Sequence, residues 1–395
     1  MKKERIRSGR EQTCVYAGMN GAYWMLYCVA MAYAGVFLQS RGYSNAELGG
    51  VLAAGSVTGL VVPSVLAALA DRGAKAPVWV MGIAAAVTGG LLTVLLLLPG
   101  RSLAVTVVFV LVQAMVIALQ PLVNAFAFYL ERLGIAVPFG LCRSVGSLAY
   151  AVVSAILGVL TVRAGAQTIP AAGLAVILGM GCLLVWFARG EAPPRPARTK
   201  SGGQNGAALL KNWSFLWMLA GTVLLFCGHA FVMNFTIQIV QTVGGDSGDM
   251  GGLAAYAAVL ELPAMVLFDR LCRRFSCGGM LRFAAVFFAV KGAAVLIVSS
   301  MAGLYGALAF QALSFALFVP ASVRYAGEIS GAANANKAQA YVTAMITVGN
   351  ILASAVGGLL IDGAGMKMAL AVAAICELAG MLVMVLGVRN KQKLT

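Results

Sequence analysis

The stretch Gln39-Ser-Arg-Gly-Tyr-Ser-Asn-Ala-Glu-Leu-Gly-Gly50 occurs twice in outline, the second time as Gln241-Thr-Val-Gly-Gly-Asp-Ser-Gly-Asp-Met-Gly-Gly252. Laid 202 residues apart without a gap, Gln39 meets Gln241, Gly42 meets Gly244, and Gly49-Gly50 meets Gly251-Gly252. The acidic–apolar pair Glu47-Leu48 becomes Asp249-Met250. Moving outward, Asp71-Arg72 matches Asp269-Arg270, Gln113-Ala114 matches Gln311-Ala312, and Val145-Gly146 matches Val348-Gly349, all in chain order. The chain is therefore two copies of one unit.

Composition says what kind of unit. Of 395 residues, 61% are hydrophobic and 10% charged, with a mean hydropathy of +0.92. A soluble globular protein carries about 25% charged residues, so a water-soluble enzyme is excluded and the bilayer becomes the solvent. A spanning helix needs about 20 apolar residues. Apolar runs fall near 14–38, 47–69, 77–98, 103–130, 138–162 and 168–188, then near 213–241, 250–268, 278–299, 302–327, 338–361 and 367–388. Each copy thus holds six helices in the same orientation. Residues 1–188 and 212–395 form the two six-helix bundles. Residues 189–211, rich in Pro, Gly and charge, are the linker between them.

Twelve crossings put both termini on one side. On that side lie 23 of the 28 Lys and Arg residues. Four (Arg41, Arg101, Arg163, Lys367) lie opposite, and Lys291 lies within a span. Cytoplasmic loops carry the excess of Lys and Arg, so both termini are expected in the cytoplasm. The net charge of +15 is topological and calls for no nucleic acid. The charged first ten residues and the absence of a small-residue cleavage site predict no cleavable signal peptide. The eight cysteines are scattered, most of them within spans, and neither a disulfide nor a zinc site is expected.

Several segments carry a family resemblance. They are Leu69-Ala-Asp71-Arg72, Leu119-Gln-Pro121-Leu-Val-Asn124, Pro138-Phe-Gly140-Leu-Cys-Arg143-Ser-Val-Gly146-Ser147, Glu261-Leu-Pro263, Phe315-Ala-Leu-Phe-Val-Pro320, Gly349-Asn350 and Gly357-Gly358. With them the chain resembles the major facilitator superfamily over essentially its whole length. It looks most like the branch of lactose-permease-like, nucleoside–proton and phenylpropionate permeases. Ala67 and Cys272 stand where the superfamily's loop motif usually has Gly. The resemblance implies an all-α polytopic protein of twelve transmembrane helices in two pseudo-symmetric bundles. It implies a solute site at the midplane between the halves, lined by spans 1, 4, 7 and 10.

Helical spacing gives an independent check, since i, i+3, i+4 and i+7 share a face. Span 1 carries Tyr16, Asn20, Tyr23 and Tyr27 in one stripe, with Trp24 beside it. Span 4 carries Gln113, Gln120 and Asn124; span 10 carries Gln311, Ser314 and Phe318. In span 7 the 202-residue offset puts His229, the chain's single histidine, where span 1 has Tyr27. Such residues either bind solute or knit helices together. Neutral amides, tyrosines and one imidazole suit a sugar, an oligosaccharide or a nucleoside. No Arg or Lys is evident on these faces, which argues against phosphate esters.

The ionisable residues within spans need separate accounts, because they are costly there and face the bundle interior. Glu261 and Arg143 are read as an ion pair across the halves that breaks when Glu261 takes a proton; a static pair is the alternative. Lys291 and Glu377 are read as a structural pair, and Arg324 with Glu328 as an i, i+4 pair at a helix end. His229 either relays protons or is a satisfied hydrogen-bonding histidine. The resemblance implies that Asp71-Arg72 and Asp269-Arg270 latch helices and set the conformational equilibrium.

The leading expectation is a proton-coupled symporter working by alternating access as a monomer, with no cofactor and no metal, in a bacterial cytoplasmic (inner) membrane. Its partners would be a small-molecule solute, protons and the lipid bilayer. Alternatives are uptake of an aromatic acid and proton-antiport efflux of an amphipathic compound. A membrane sensor without transport ranks lowest, and no nucleophile–base motif or phosphate loop favours an enzyme.

Overall fold

The structure, a computed structural model, describes residues 9–70, 76–132, 134–135, 138–188, 206–331 and 334–389. Among them, eleven helices are long and apolar enough to cross a membrane, and a bent pair at the start makes the twelfth span. The first half runs α1 (Gly9–Tyr27), a π-helical turn (Cys28–Ala32), α2 (Ala34–Ser40), α3 (Asn45–Ala70), α4 (Ala76–Leu97), α5 (Leu103–Arg132), α6 (Phe139–Ala164) and α7 (Thr168–Ala188). The second half opens on a 3-10 turn (Gly206–Lys211). It continues through α8 (Trp213–Asn234), α9 (Thr236–Thr242), α10 (Ser247–Arg274), α11 (Cys277–Ile297), α12 (Met301–Ala309), a 3-10 turn (Phe310–Ala312), α13 (Phe315–Ser330), α14 (Ala335–Ala364) and α15 (Met366–Gly387).

The duplication extends to details of backbone that composition does not show. Span 1 breaks at Tyr33, with a bend of 45° between its two parts. Span 7 breaks at Phe235, 202 residues on. Each break is followed by a glycine in the left-handed region, Gly42 at φ 84° and Gly244 at φ 82°. Each next span then starts with a reciprocal cap. Ser44 Oγ accepts from the Glu47 amide while Glu47 accepts from the Ser44 amide; Asp246 and Asp249 do the same. The repeated acidic residue is therefore half of a capping box, which satisfies two orphan N–H groups at a helix start. Prolines recur too, with Pro63 and Pro263 inside spans 2 and 8, and Pro121 and Pro320 inside spans 4 and 10.

The chain divides into two compact units: Met1–Tyr43 with Ala54–Arg198, and Ser44–Ala53 with Thr199–Thr395. In the first unit, α1 packs on α5, α6 and α7, and α4 packs on α5 and α7. Leu141, Leu148, Val152, Ile156 and Val159 form an exposed apolar stripe along α6, as a helix facing lipid requires. In the second unit α8 is held by α14 and α15, and α11 by α13 and α15. The α8–α15 contact is lined by glycines: a Cβ at Gly221 would meet Met384, and one at Gly380 would meet Leu225. Small residues let membrane helices approach closely and gain dispersion contacts.

Two details modify the sequence reading. Within the linker, Gly206–Lys211 is helical and Leu209 is buried in the core of the second unit, so its packing starts before residue 212. The second unit also takes in Ser44–Ala53, the first turns of α3. There Asp362 of α14 accepts from Asn45 Nδ2 (2.8 Å) and from the Ala46 amide (2.7 Å). Gly358 and Gly49 leave the room this needs, since a Cβ on either would run into backbone.

Candidate functional site

In the first unit, α1 gathers Tyr23, Trp24 and Tyr27. Trp24 has its ring centroid 5.3 Å from that of Tyr23 and 5.2 Å from that of Tyr27. The Arg143 guanidinium of α6 lies 3.8 Å over the Trp24 ring and donates to Ser147 Oγ at 3.1 Å. Gly146 makes this possible, because a Cβ there would strike the indole. A guanidinium on an aromatic face combines a cation–π contact with a fork of in-plane N–H donors. The Tyr23 hydroxyl is buried without a hydrogen bond among the described residues, a state that normally calls for a water or a ligand. Trp24, Tyr27, Gln120 and Asn124 are half-buried. The sequence had no local signal for Arg143 on Trp24, because the arginine comes from α6 and not from the helix that carries the stripe.

Other residues of the set are engaged in packing. Asn20 is buried and donates back to the Tyr16 carbonyl (3.2 Å). Gln113 is buried beside Gly55 and points its amide at the carbonyl of Ala30 (3.5 Å). Ala30 lies in the π-helical turn.

In the second unit, span 10 is broken where span 4 is continuous, and the break carries the site residues. Gln311 is buried in the 3-10 turn and donates to Glu261 Oε1 of α10 at 2.9 Å. Ser314 follows at the start of α13, its hydroxyl buried without a partner among the described residues. Phe318 is buried among Phe226 and Phe288. His229 of α8 stacks on Phe315 with centroids 4.8 Å apart, and its Nδ1 lies 2.7 Å from Nζ of Lys291. The same ammonium stands 3.4 Å from Glu377 Oε1. The expected Lys291–Glu377 pair is present, and it includes the histidine that the sequence had placed with the solute site. Arg324 and Glu328 pair at 3.8 Å as i, i+4 neighbours.

Asp71 and Arg72 lie outside the described residues, as does the side chain of Asp269; Arg270 is exposed. Arg143 belongs to the first unit and Glu261 to the second.

The sequence matches the MFS_1 like family over residues 16–372. The chain belongs to that family. It is a multi-pass membrane transporter of the major facilitator superfamily and not an enzyme. Its sequence is 26% identical to a maltose permease of Geobacillus stearothermophilus over 357 residues, 89% of this chain and 88% of the permease. Its fold is similar to that of a mutant form of the nucleoside transporter NupG, with a TM-score of 0.82 at 12% identity over 97% of this chain and 100% of that one. It is also similar to a D-xylose-proton symporter, with a TM-score of 0.75 at 14% identity over 98% and 99%.

Proposed function

We propose that this transporter is a proton-coupled symporter of a small polar organic solute, a sugar, oligosaccharide or nucleoside, working by alternating access in a bacterial cytoplasmic membrane with both termini inside. The observation that carries the reading is the cluster of Tyr23, Trp24 and Tyr27 under the Arg143 guanidinium. An aromatic face beside hydrogen-bond donors is what a polar ring needs, since one surface accepts its C–H face and the other its hydroxyls. The relatives supply support of the same kind, being a maltose permease, a nucleoside transporter and a D-xylose-proton symporter.

Asn20, Gln113, Gln120 and Asn124 from the first half, with Gln311, Ser314, Phe318 and His229 from the second, complete the proposed solute set. Glu261 ties that set to charge movement, because its carboxylate already holds Gln311. Its pairing with Arg143 at one stage of the cycle belongs to the same reading, as do the latching roles of Asp71, Arg72, Asp269 and Arg270. Arg143 also favours a second reading, uptake of an aromatic acid, because a guanidinium recognises a carboxylate bidentately.

The test is current recording from proteoliposomes on a solid-supported membrane, with jumps of maltose, D-xylose, uridine and benzoate. A positive current with a neutral solute that disappears in Arg143→Ala supports the first reading. Response to benzoate alone supports the second. Silence across the panel, with proton release on adding a hydrophobic cation, overturns both in favour of efflux.

A further inference from the structure

The cluster of Lys291, Glu377 and His229 is more deeply placed than a helix-pairing contact requires. Lys291 and Glu377 are 0% exposed and His229 is 5% exposed. The three come from α11, α15 and α8, helices that pack on one another inside the second unit. Two glycines make the space: a Cβ at Gly228 of α8 or Gly292 of α11 would collide with the Glu377 side chain. The notch is thus built to fit a carboxyl group from α15.

Hydrogen-bond chemistry fixes the states of the group. An ammonium has three donors and no lone pair, so Lys291 donates and His229 Nδ1 accepts. The ring is then neutral with its proton on Nε2. Adding a proton at Nδ1 would set two cations at 2.7 Å. Glu377 is the member free to change. Both of its oxygens are buried without a hydrogen bond of normal length among the described residues, where its counter-charge is the ammonium 3.4 Å away. An ionised carboxylate offers about four acceptor sites, and only Lys291 and the Gly292 backbone approach them here. A neutral carboxyl group fits the same notch without that deficit. Protonation leaves the ammonium without its counter-charge, and a buried unpaired charge is strongly unfavourable. Glu261 of α10 is within electrostatic reach of Lys291, and its carboxylate holds Gln311 of the span-10 break.

We propose that Glu377, in its glycine notch with Lys291 and His229, is a proton-binding site of the transport cycle. Binding moves the Lys291 ammonium from Glu377 towards Glu261, where it competes with Gln311. The balance closes: one proton enters on Glu377, no bond other than hydrogen bonds changes, and the ammonium exchanges one carboxylate for another. The other ionisable groups facing Glu377 are Cys376 on its own helix and Cys227 on α8. α14 also packs on α15 and brings Lys337, Tyr341 and Asp362 near its ends. Proton binding would in this way reach a proposed solute residue without any solute touching Glu377. The inference rests on the proton-symport reading for its role in transport, but not for the existence of the site.

The test begins without solute. Infrared difference spectra of the purified full-length protein in liposomes, recorded as pH is stepped, should show a buried carboxylic-acid C=O band that titrates. The band should vanish in Glu377→Gln and persist, with a shifted midpoint, in Glu261→Gln. Retention in Glu377→Gln, or loss in Glu261→Gln alone, overturns the proposal. Should Glu377→Gln fail to fold, the charge-free pair Lys291→Gln with Glu377→Gln takes its place, and a band surviving there also overturns it. Where maltose, D-xylose or uridine gives a current, Glu377→Gln must reduce accumulation driven by a pH gradient far more than solute exchange; equal losses overturn the coupling role. A titrating Glu377 band in a protein that shows no proton-driven uptake would sink the symport reading and keep the site.

Discussion

Spans 1 and 7 are copies of one element put to different chemical use. Both break at equivalent residues, Tyr33 and Phe235, and both are followed by a left-handed glycine and a reciprocal cap. Yet Trp24 in the first is half-buried under an arginine, while Phe226, at the equivalent position, is sealed among Phe288, Phe315 and Phe318. The equivalent glycines diverge in the same way. Gly146 opens a notch that a side chain, Trp24, occupies; Gly349 opens one that the backbone of α8 itself occupies, at Val223 and Cys227. The difference teaches that duplication preserves where a helix bends and begins, whereas what fills the space beside it is free to specialise. One copy leaves an aromatic, hydrogen-bonding face at Tyr23, Trp24 and Tyr27. The other packs phenylalanines there and holds charges inside.

The largest effect that would sharpen this contrast is on the sealed side. Lys291→Met strands the Glu377 carboxylate in its notch and should cost about 3–5 kcal/mol at neutral pH. The penalty belongs to the ionised carboxylate, so it should shrink as pH falls and the group takes a proton. Thermal unfolding in detergent across pH measures it, and Lys291→Met with Glu377→Leu should recover most of the loss. A pH-independent loss would mean that shape, not charge, governs this region.

Next come the paired glycines. Gly349→Ala meets the Val223 carbonyl oxygen and the Cys227 amide nitrogen, which cannot step aside, and should destabilise by about 1–3 kcal/mol. Gly146→Ala meets a side chain that can rotate, so its stability loss should be smaller while solute response falls. Equal stability losses in the two variants would erase the distinction between the two notches. On the open side, Arg143→Lys keeps the charge but gives up the guanidinium contact over Trp24, at a cost of about 1 kcal/mol in solute binding. It would be read as a several-fold higher half-saturating concentration of maltose or uridine in the current assay. The smallest effect is at an exposed helix start. Asp362→Asn weakens the two hydrogen bonds to Asn45 and Ala46 and should cost about 1 kcal/mol or less, seen as faster hydrogen exchange at the Ala46 amide.

Much of this architecture was legible in residues. Hydropathy marks the spans because no water in the bilayer competes for backbone groups. The recurrent acid at Glu47 and Asp249 marks helix starts because capping chemistry is local. The Lys291–Glu377 pair could be anticipated, since two opposite charges in apolar runs have few other ways to be satisfied. Helix breaks were not legible: Tyr33 and Phe235 differ little from their neighbours, and the break is imposed by packing, as the hydrogen bond from the Tyr33 hydroxyl to the Ser154 carbonyl (2.6 Å) illustrates. Nor was the link from His229 to Lys291, or from Arg143 to Trp24. Each joins residues on different helices, and no period along the chain encodes it. Nor does a stripe say where a side chain ends: the Gln113 amide reaches the backbone of a neighbouring turn.

The cap at the start of α3 has a consequence for the order in which the protein is made. Ser44 and Glu47 can begin that helix as soon as they leave the ribosome. The carboxylate that completes it, Asp362, follows Asn45 by 317 residues. At about 5–20 residues per second that is a wait of roughly a quarter of a minute to a minute. One of the first helix starts to be synthesised is thus among the last to be finished, and through that interval its local capping box holds the place alone.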